Sequence, residues 1–138
     1  MAIKFGMDEM KFMSLLEQLS GVAPKDLINE PERATFIVPE GSIARCIGKG
    51  GVVVKKLENL LKKKVKYVEY SDQLIQFVKN VVAPLELANV EEENGVVTMH
   101  ARDHQTRGLL IGRSASNLRF FETVVKRYFP INELKVAQ

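Results

Sequence analysis

Apolar positions recur at helical spacing from Asp8 to about Leu19, where Phe12, Met13, Leu15, Leu16 and Leu19 form one stripe. Asp8 and Glu9 stand where a helix N-terminus favours negative charge. Asp26–Asn29 is a short strand candidate, and Pro31-Glu32-Arg33 reads as a turn. Ala34–Val38, rich in β-branched and aromatic residues, reads as a strand. Pro39 to Ile47 turns into a short helix, which Gly48–Gly51 interrupts. A helix resumes over Val52–Lys63 with Val53, Val54, Leu57, Leu60 and Leu61 on one face. Val65–Tyr70 alternates as a strand.

The second half repeats that order. Ser71 or Asp72 is placed to cap a helix carrying Leu74, Phe77, Val78 and Val81, which Pro84 prevents from continuing. Leu85–Val90 reads as a strand, Glu91–Glu93 with Asn94-Gly95 as a hairpin turn, and Val96–Ala101 as the returning strand. Asp103 to Ile111 holds a turn and short helix, Ser114 to about Tyr128 a long helix, and Ile131–Val136 a last strand. An internal repeat underlies the match. Ile47-Gly48-Lys49-Gly50-Gly51 returns as Ile111-Gly112-Arg113-Ser114-Ala115, and Leu60-Leu61-Lys62-Lys63 returns in phase as Val124-Val125-Lys126-Arg127. The fold class expected is α+β, in two domains of order α-β-β-α-α-β, residues 1–70 and 71–138. Gly, Ser and Pro are sparse at the boundary, so the two are expected to pack in a fixed orientation.

Charge sharpens this picture. The chain of 138 residues has a net charge of only +3, unevenly spread. Between Gly41 and Lys66 stand eight basic residues and one acid; between Arg102 and Lys135, seven and three; elsewhere, five and thirteen. Two basic segments in an otherwise acidic chain suit a polyanion partner. Each segment contains one copy of the repeated glycine loop. The longest apolar runs are too short to span a bilayer, and Met1–Gly6 does not read as a signal or transit peptide, so a cytoplasmic location is expected. Cys46 is a lone cysteine, read as a small buried residue.

The loop chemistry is specific in kind. A Gly-x-x-Gly turn between two helices lets a nucleic-acid backbone approach the main chain, because no Cβ stands in the way. Backbone N–H groups of the loop and of the following helix then face phosphate oxygens. Gly48, Lys49, Gly50 and Gly51 form the first such loop, with Arg45, Lys55 and Lys56 at its rim. Ile47, with Ile43 and Val54, supplies an apolar floor for bases. In the second copy, Gly112, Arg113, Ser114 and Ala115 form the loop, and Arg119 stands near it. Alanine in the final position accommodates helical dihedrals, so the fold should survive there while binding weakens. A Walker A loop would need glycine at position 43 and Ser or Thr at position 50, where Ile43 and Gly50 stand. No strand leads into a correctly spaced Rossmann glycine triplet. His100 and His104 lack further ligands at metal-binding spacing, and no nucleophile stands by an obvious base. Neither catalysis nor a cofactor or metal is expected.

The loop and element order resemble the type II KH domain. Two such units joined directly resemble the tandem KH region of the transcription termination and antitermination factor NusA, in its short archaeal form. Val65-Lys66-Tyr67-Val68-Glu69-Tyr70-Ser71-Asp72, the Phe77…Ala83-Pro84 junction and Asp103…Arg107-Gly108-Leu109-Leu110-Ile111-Gly112 carry the resemblance further. It implies binding of single-stranded RNA, nascent transcript or rRNA, with RNA polymerase as a candidate second partner. No membrane and no small-molecule substrate are implied. A ribosome- or rRNA-processing-associated KH protein, a binder of single-stranded DNA, and a KH scaffold for protein contacts stay open.

Overall fold

The computed structural model describes residues 6–138; the leader reading of Met1–Phe5 lies outside them. The chain forms two compact units, one ending at Tyr70 and the other opening at Ser71. Both are α+β with a mixed three-stranded sheet.

The first unit runs α1 (Met7–Ser20), β1 (Asp26–Asn29), β2 (Arg33–Val38), α2 (Ile43–Ile47), α3 (Val52–Leu61) and β3 (Lys64–Glu69). Strand β2 is central, antiparallel to β1 and parallel to β3. Leu16, Leu27, Phe36, Val38, Cys46 and Leu57 are fully or almost fully buried together between the helices and the sheet. Truncating a core residue such as Leu57 to alanine costs about 2–5 kcal/mol. The stripe on α3 centres on Leu57 and Leu61, whereas Leu60, expected on that face, lies on its flank and is 53% exposed. Helix α3 also stops two residues before the expected Lys63. Lys62 adopts the left-handed conformation (φ 59°) as its C-cap, and its N–H donates to Glu58 O at 2.9 Å.

The second unit runs α4 (Leu74–Val82), β4 (Leu87–Glu93), β5 (Val96–Ala101), α5 (His104–Ile111), α6 (Ser116–Lys126) and β6 (Glu133–Val136). Its sheet has order β4-β5-β6, with the same antiparallel and parallel pairings. Phe77, Met99, Leu110 and Val124 are fully buried in this unit. Phe77 meets Tyr128 and Phe129, each at 5.5 Å between ring centroids.

Several boundaries differ from expectation: β4 starts at Leu87, α6 ends at Lys126 and β6 starts at Glu133, and three further differences have a visible cause. Glu91–Glu93 belong to β4, since they pair with Thr98, Val97 and Val96 on the neighbouring strand; the turn is Asn94-Gly95 alone. Both turn residues have positive φ (53° and 82°), the geometry a two-residue hairpin requires. Helix α4 begins with Gln73 as N-cap; Ser71 Oγ, two residues upstream, accepts from Gln73 N at 3.1 Å. Helix α6 begins at Ser116, because Ser114 and Ala115 are left-handed.

The repeat extends to a contact that the apolar pattern does not reveal. Glu58 Oε2 on α3 accepts from Val65 N at 3.0 Å, and Glu122 Oε2 on α6 accepts from Leu134 N at 2.9 Å. Each long helix thus anchors the backbone of the strand that follows it. Among the described residues no helix is long and apolar enough to cross a membrane.

Candidate nucleic-acid interface

Helix α2 ends at Ile47, a single 3-10 turn covers Lys49–Gly51, and α3 starts at Val52. Gly48 (φ 80°, ψ 165°), Gly50 (φ 63°, ψ 18°) and Gly51 (φ 77°, ψ 18°) all have positive φ. The Gly48 combination is essentially restricted to glycine. A Cβ at Gly48 would also lie 2.6 Å from Val53 Cγ2 and 2.9 Å from Val53 N. Gly48 is therefore required for folding the loop itself, whereas a Cβ at Gly50 would meet open space. Gly51 N donates to Gly48 O at 3.0 Å and Gly48 N to Ala44 O at 2.9 Å, which closes the turn.

Arg45, Lys49, Lys55 and Lys56 are exposed, and none forms an ion pair among the described residues. Lys55 Cε lies 3.7 Å from where a Gly51 Cβ would stand, so its side chain folds back over the loop. Ile47 (39% exposed) and Val52 (58% exposed) flank the turn as apolar surface. Ile43 and Val54 are half-buried. Val52 was not among the expected floor residues; its position directly after the last glycine is the signal that could have found it.

Behind the loop the packing is tight. The Tyr67 hydroxyl donates to Cys46 O at 2.8 Å, tying α2 to β3. Burial pushes the Tyr67 phenol well above its ordinary range. Burial also raises the Cys46 thiol, outweighing the lowering by Ser42, Ser20 and Arg45. Cys46 is thus a packing residue. Lys66, although in the basic segment, is half-buried; burial first and the Arg33 charge second push its ammonium down.

The second loop reproduces the first in backbone form. Gly112 (φ 73°, ψ 179°), Ser114 (φ 52°, ψ 34°) and Ala115 (φ 61°, ψ 23°) occupy the same three conformations without glycine at the last two. The expectation that Ala115 would be helical is corrected: it sits left-handed, as Gly51 does. A Cβ at Gly112 would meet Asn117 Cγ at 2.6 Å, where Val53 stands in the first unit. Asn117 Nδ2 donates to Leu109 O at 2.8 Å, an added tie between α5 and α6. Arg113 and Arg119 are exposed and outside any ion pair among the described residues. Leu109 and Phe120, however, stand at the positions matching Arg45 and Lys56. The second rim carries half the cations of the first.

Among the described residues no three Asp, Glu, His or Cys side chains gather as a metal site. His100 Nε2 lies 2.8 Å from Glu91 Oε1 in an exposed pair, and His104 is exposed at the start of α5.

No protein-family model matches the chain. It is 32% identical to the "Probable transcription termination protein NusA" of Methanococcus vannielii, over 99% of this chain and 81% of that protein. The protein of the same name from Methanocaldococcus jannaschii is 31% identical over 97% of this chain and 75% of its own length. That of Halococcus morrhuae is 29% identical over 93% and 94%. Among solved structures, the crystal structure of APE1850 superposes with a TM-score of 0.78 at 28% identity, covering 96% of this chain and all of that one.

Proposed function

The chain belongs to the NusA family of transcription termination proteins, and from that premise we propose that it is an RNA-binding member acting through two KH units. Each unit clamps the backbone of single-stranded RNA, about four nucleotides at a time. The ligand is the nascent transcript, bound during elongation, termination or antitermination in the cytoplasm, with RNA polymerase as the neighbouring partner.

One observation carries this reading: the two glycine loops share one left-handed backbone, despite different side chains, and each is rimmed by unpaired cations. A turn kept only to connect two helices has no need of such a conformation twice. In the first loop, phosphate oxygens meet the Lys49 and Gly50 amides and the N-terminus of α3. Lys49 adds a direct charge, and Arg45, Lys55 and Lys56 hold the flanking phosphates. Bases rest on Ile47 and Val52. Selectivity for sequence is modest in such an arrangement, because most contacts go to the backbone.

The test uses positions that the fold can spare. Lys49 is exposed and a Gly50 side chain would project into open space, where aspartate tolerates a left-handed backbone. The Lys49→Asp/Gly50→Asp variant is expected to keep its amide NMR dispersion and to lose binding of a single-stranded RNA by at least about tenfold, through charge reversal at two phosphate contacts. Undiminished affinity in a folded variant would remove the loop from the RNA path.

A further inference from the structure

We infer that the first unit carries a second phosphate-binding site, at the far end of α3 from the glycine loop, which extends the RNA path beyond the loop. The inference rests on the RNA-binding reading above and adds residues to it. The site is a cleft of about 590 Å³ between the C-terminal half of α3, the turn into β3 and the β1–β2 turn. Lys62, Lys64 and Asn59 line its far part, and Lys55, already a rim residue of the loop, lines the part nearer the loop.

Three observations support a ligand there. First, Lys55, Asn59 and Lys62 follow at helical spacing on the face of α3 opposite Leu57 and Leu61, so they form a row that starts beside the loop. All three are exposed, as is Lys64. Second, the acids and one lysine near the cleft are partly committed elsewhere. Glu58 accepts from Val65 N, and Lys63 Nζ is held by Asn29 Oδ1 at 2.7 Å and Glu30 O at 2.9 Å. Lys55, Lys62 and Lys64 have no ion pair among the described residues, and Glu32 is the one remaining carboxylate on the rim. Third, Lys62 occupies a left-handed C-cap (φ 59°, ψ 37°), a position that glycine fills without strain. A lysine in place of glycine there is a strained position of the kind that gathers at ligand sites.

The second unit does not duplicate the site. Lys126, matching Lys62, is drawn to Glu122 at 3.7 Å, and Thr123 stands where Asn59 does. The cleft is thus a property of the first unit alone.

Length relates the cleft to the loop. Helix α3 has ten residues and spans about 15 Å. A stacked strand advances about 3.4 Å per nucleotide, so the cleft lies about four nucleotides beyond the loop. The row Lys55–Asn59–Lys62 would carry the strand between them.

The test compares single-stranded oligouridylates, a tetranucleotide that fills only the loop and a dodecanucleotide that reaches the cleft. The variant is Lys62→Gly/Lys64→Ala, in which the first change relieves the strained cap and so leaves folding intact. Dodecanucleotide affinity is expected to fall roughly tenfold, its log–log salt slope to become shallower by about 1.4, and tetranucleotide affinity to stay as in the parent. Amide shifts at Asn59 and Lys62 should appear with the longer RNA only. If the variant binds the dodecanucleotide as the parent does, or loses both ligands equally, the extended path is wrong while the loop assignment stands. If Lys49→Asp/Gly50→Asp also leaves binding unchanged, or the parent binds neither RNA, the RNA-binding reading itself has failed and this site falls with it.

Discussion

Ala115 shows what the second loop gives up to hold its form. At φ 61° its methyl group lies in a region that costs an L-residue roughly 1–2 kcal/mol. Gly51 meets the same requirement at the matching position without that cost. Ala115→Gly should therefore raise stability by about 0.5–1 kcal/mol, after allowing for the greater freedom of glycine in the unfolded chain. Thermal unfolding followed by circular dichroism checks it, and a lower midpoint would mean that the methyl group makes compensating contacts. Sequence showed which residue departs from the glycine pattern. It did not show that the position is left-handed, because alanine in isolation argues for helix. The Gly48 requirement was legible as a close approach, but its second cause, the Val53 side chain and backbone five residues on, shows only once the turn into α3 is folded.

At the scale of elements, the caps separate what was legible from what was not. Asp103 precedes α5 and its Oδ1 accepts from Thr106 N at 2.7 Å. The Thr106 side chain and amide, followed by the Arg102 charge, hold its carboxyl below the usual carboxylate range. The folded pKa is thus depressed. The cap's contribution is complete above the unfolded pKa and is lost as pH falls through the lower, folded one. Amide-exchange protection in α5 should decline on acidification through and below the ordinary carboxylate range. In Asp103→Asn, which caps without ionising, that decline should be absent. A parallel decline in the variant would assign it to another group. Strand β5 and the Asn94-Gly95 turn could be read directly, since alternation and two-residue turn chemistry are local signals. The Glu tract reads as part of the turn because its polar side chains hide a backbone that pairs with β5. The end of α3 is not legible in the sequence, because lysine gives no stop signal where glycine would.

For the whole molecule, the repeat made two units of one order legible, since apolar, basic and glycine positions return together. It did not make the ranking of their sites legible as a number, and the rims supply one. Arg45, Lys49, Lys55 and Lys56 surround the first loop, against Arg113 and Arg119 around the second. For single-stranded nucleic acid each phosphate contact contributes about 0.7 to the slope of log affinity on log salt. The first rim can supply about 2.8 and the second about 1.4. Replacing Arg45, Lys49, Lys55 and Lys56 by alanine should therefore flatten the slope about twice as much as replacing Arg113 and Arg119. The measurement is fluorescence anisotropy of a labelled dodecanucleotide across a salt series. If one strand engages both loops, each set of changes should also cost more affinity than an isolated unit would show, because the second contact is made at high effective concentration. Equal flattening by the two sets would mean that rim charge does not rank the loops. The added Asn117–Leu109 tie and the Ala115 methyl would then be the features that set the second loop apart.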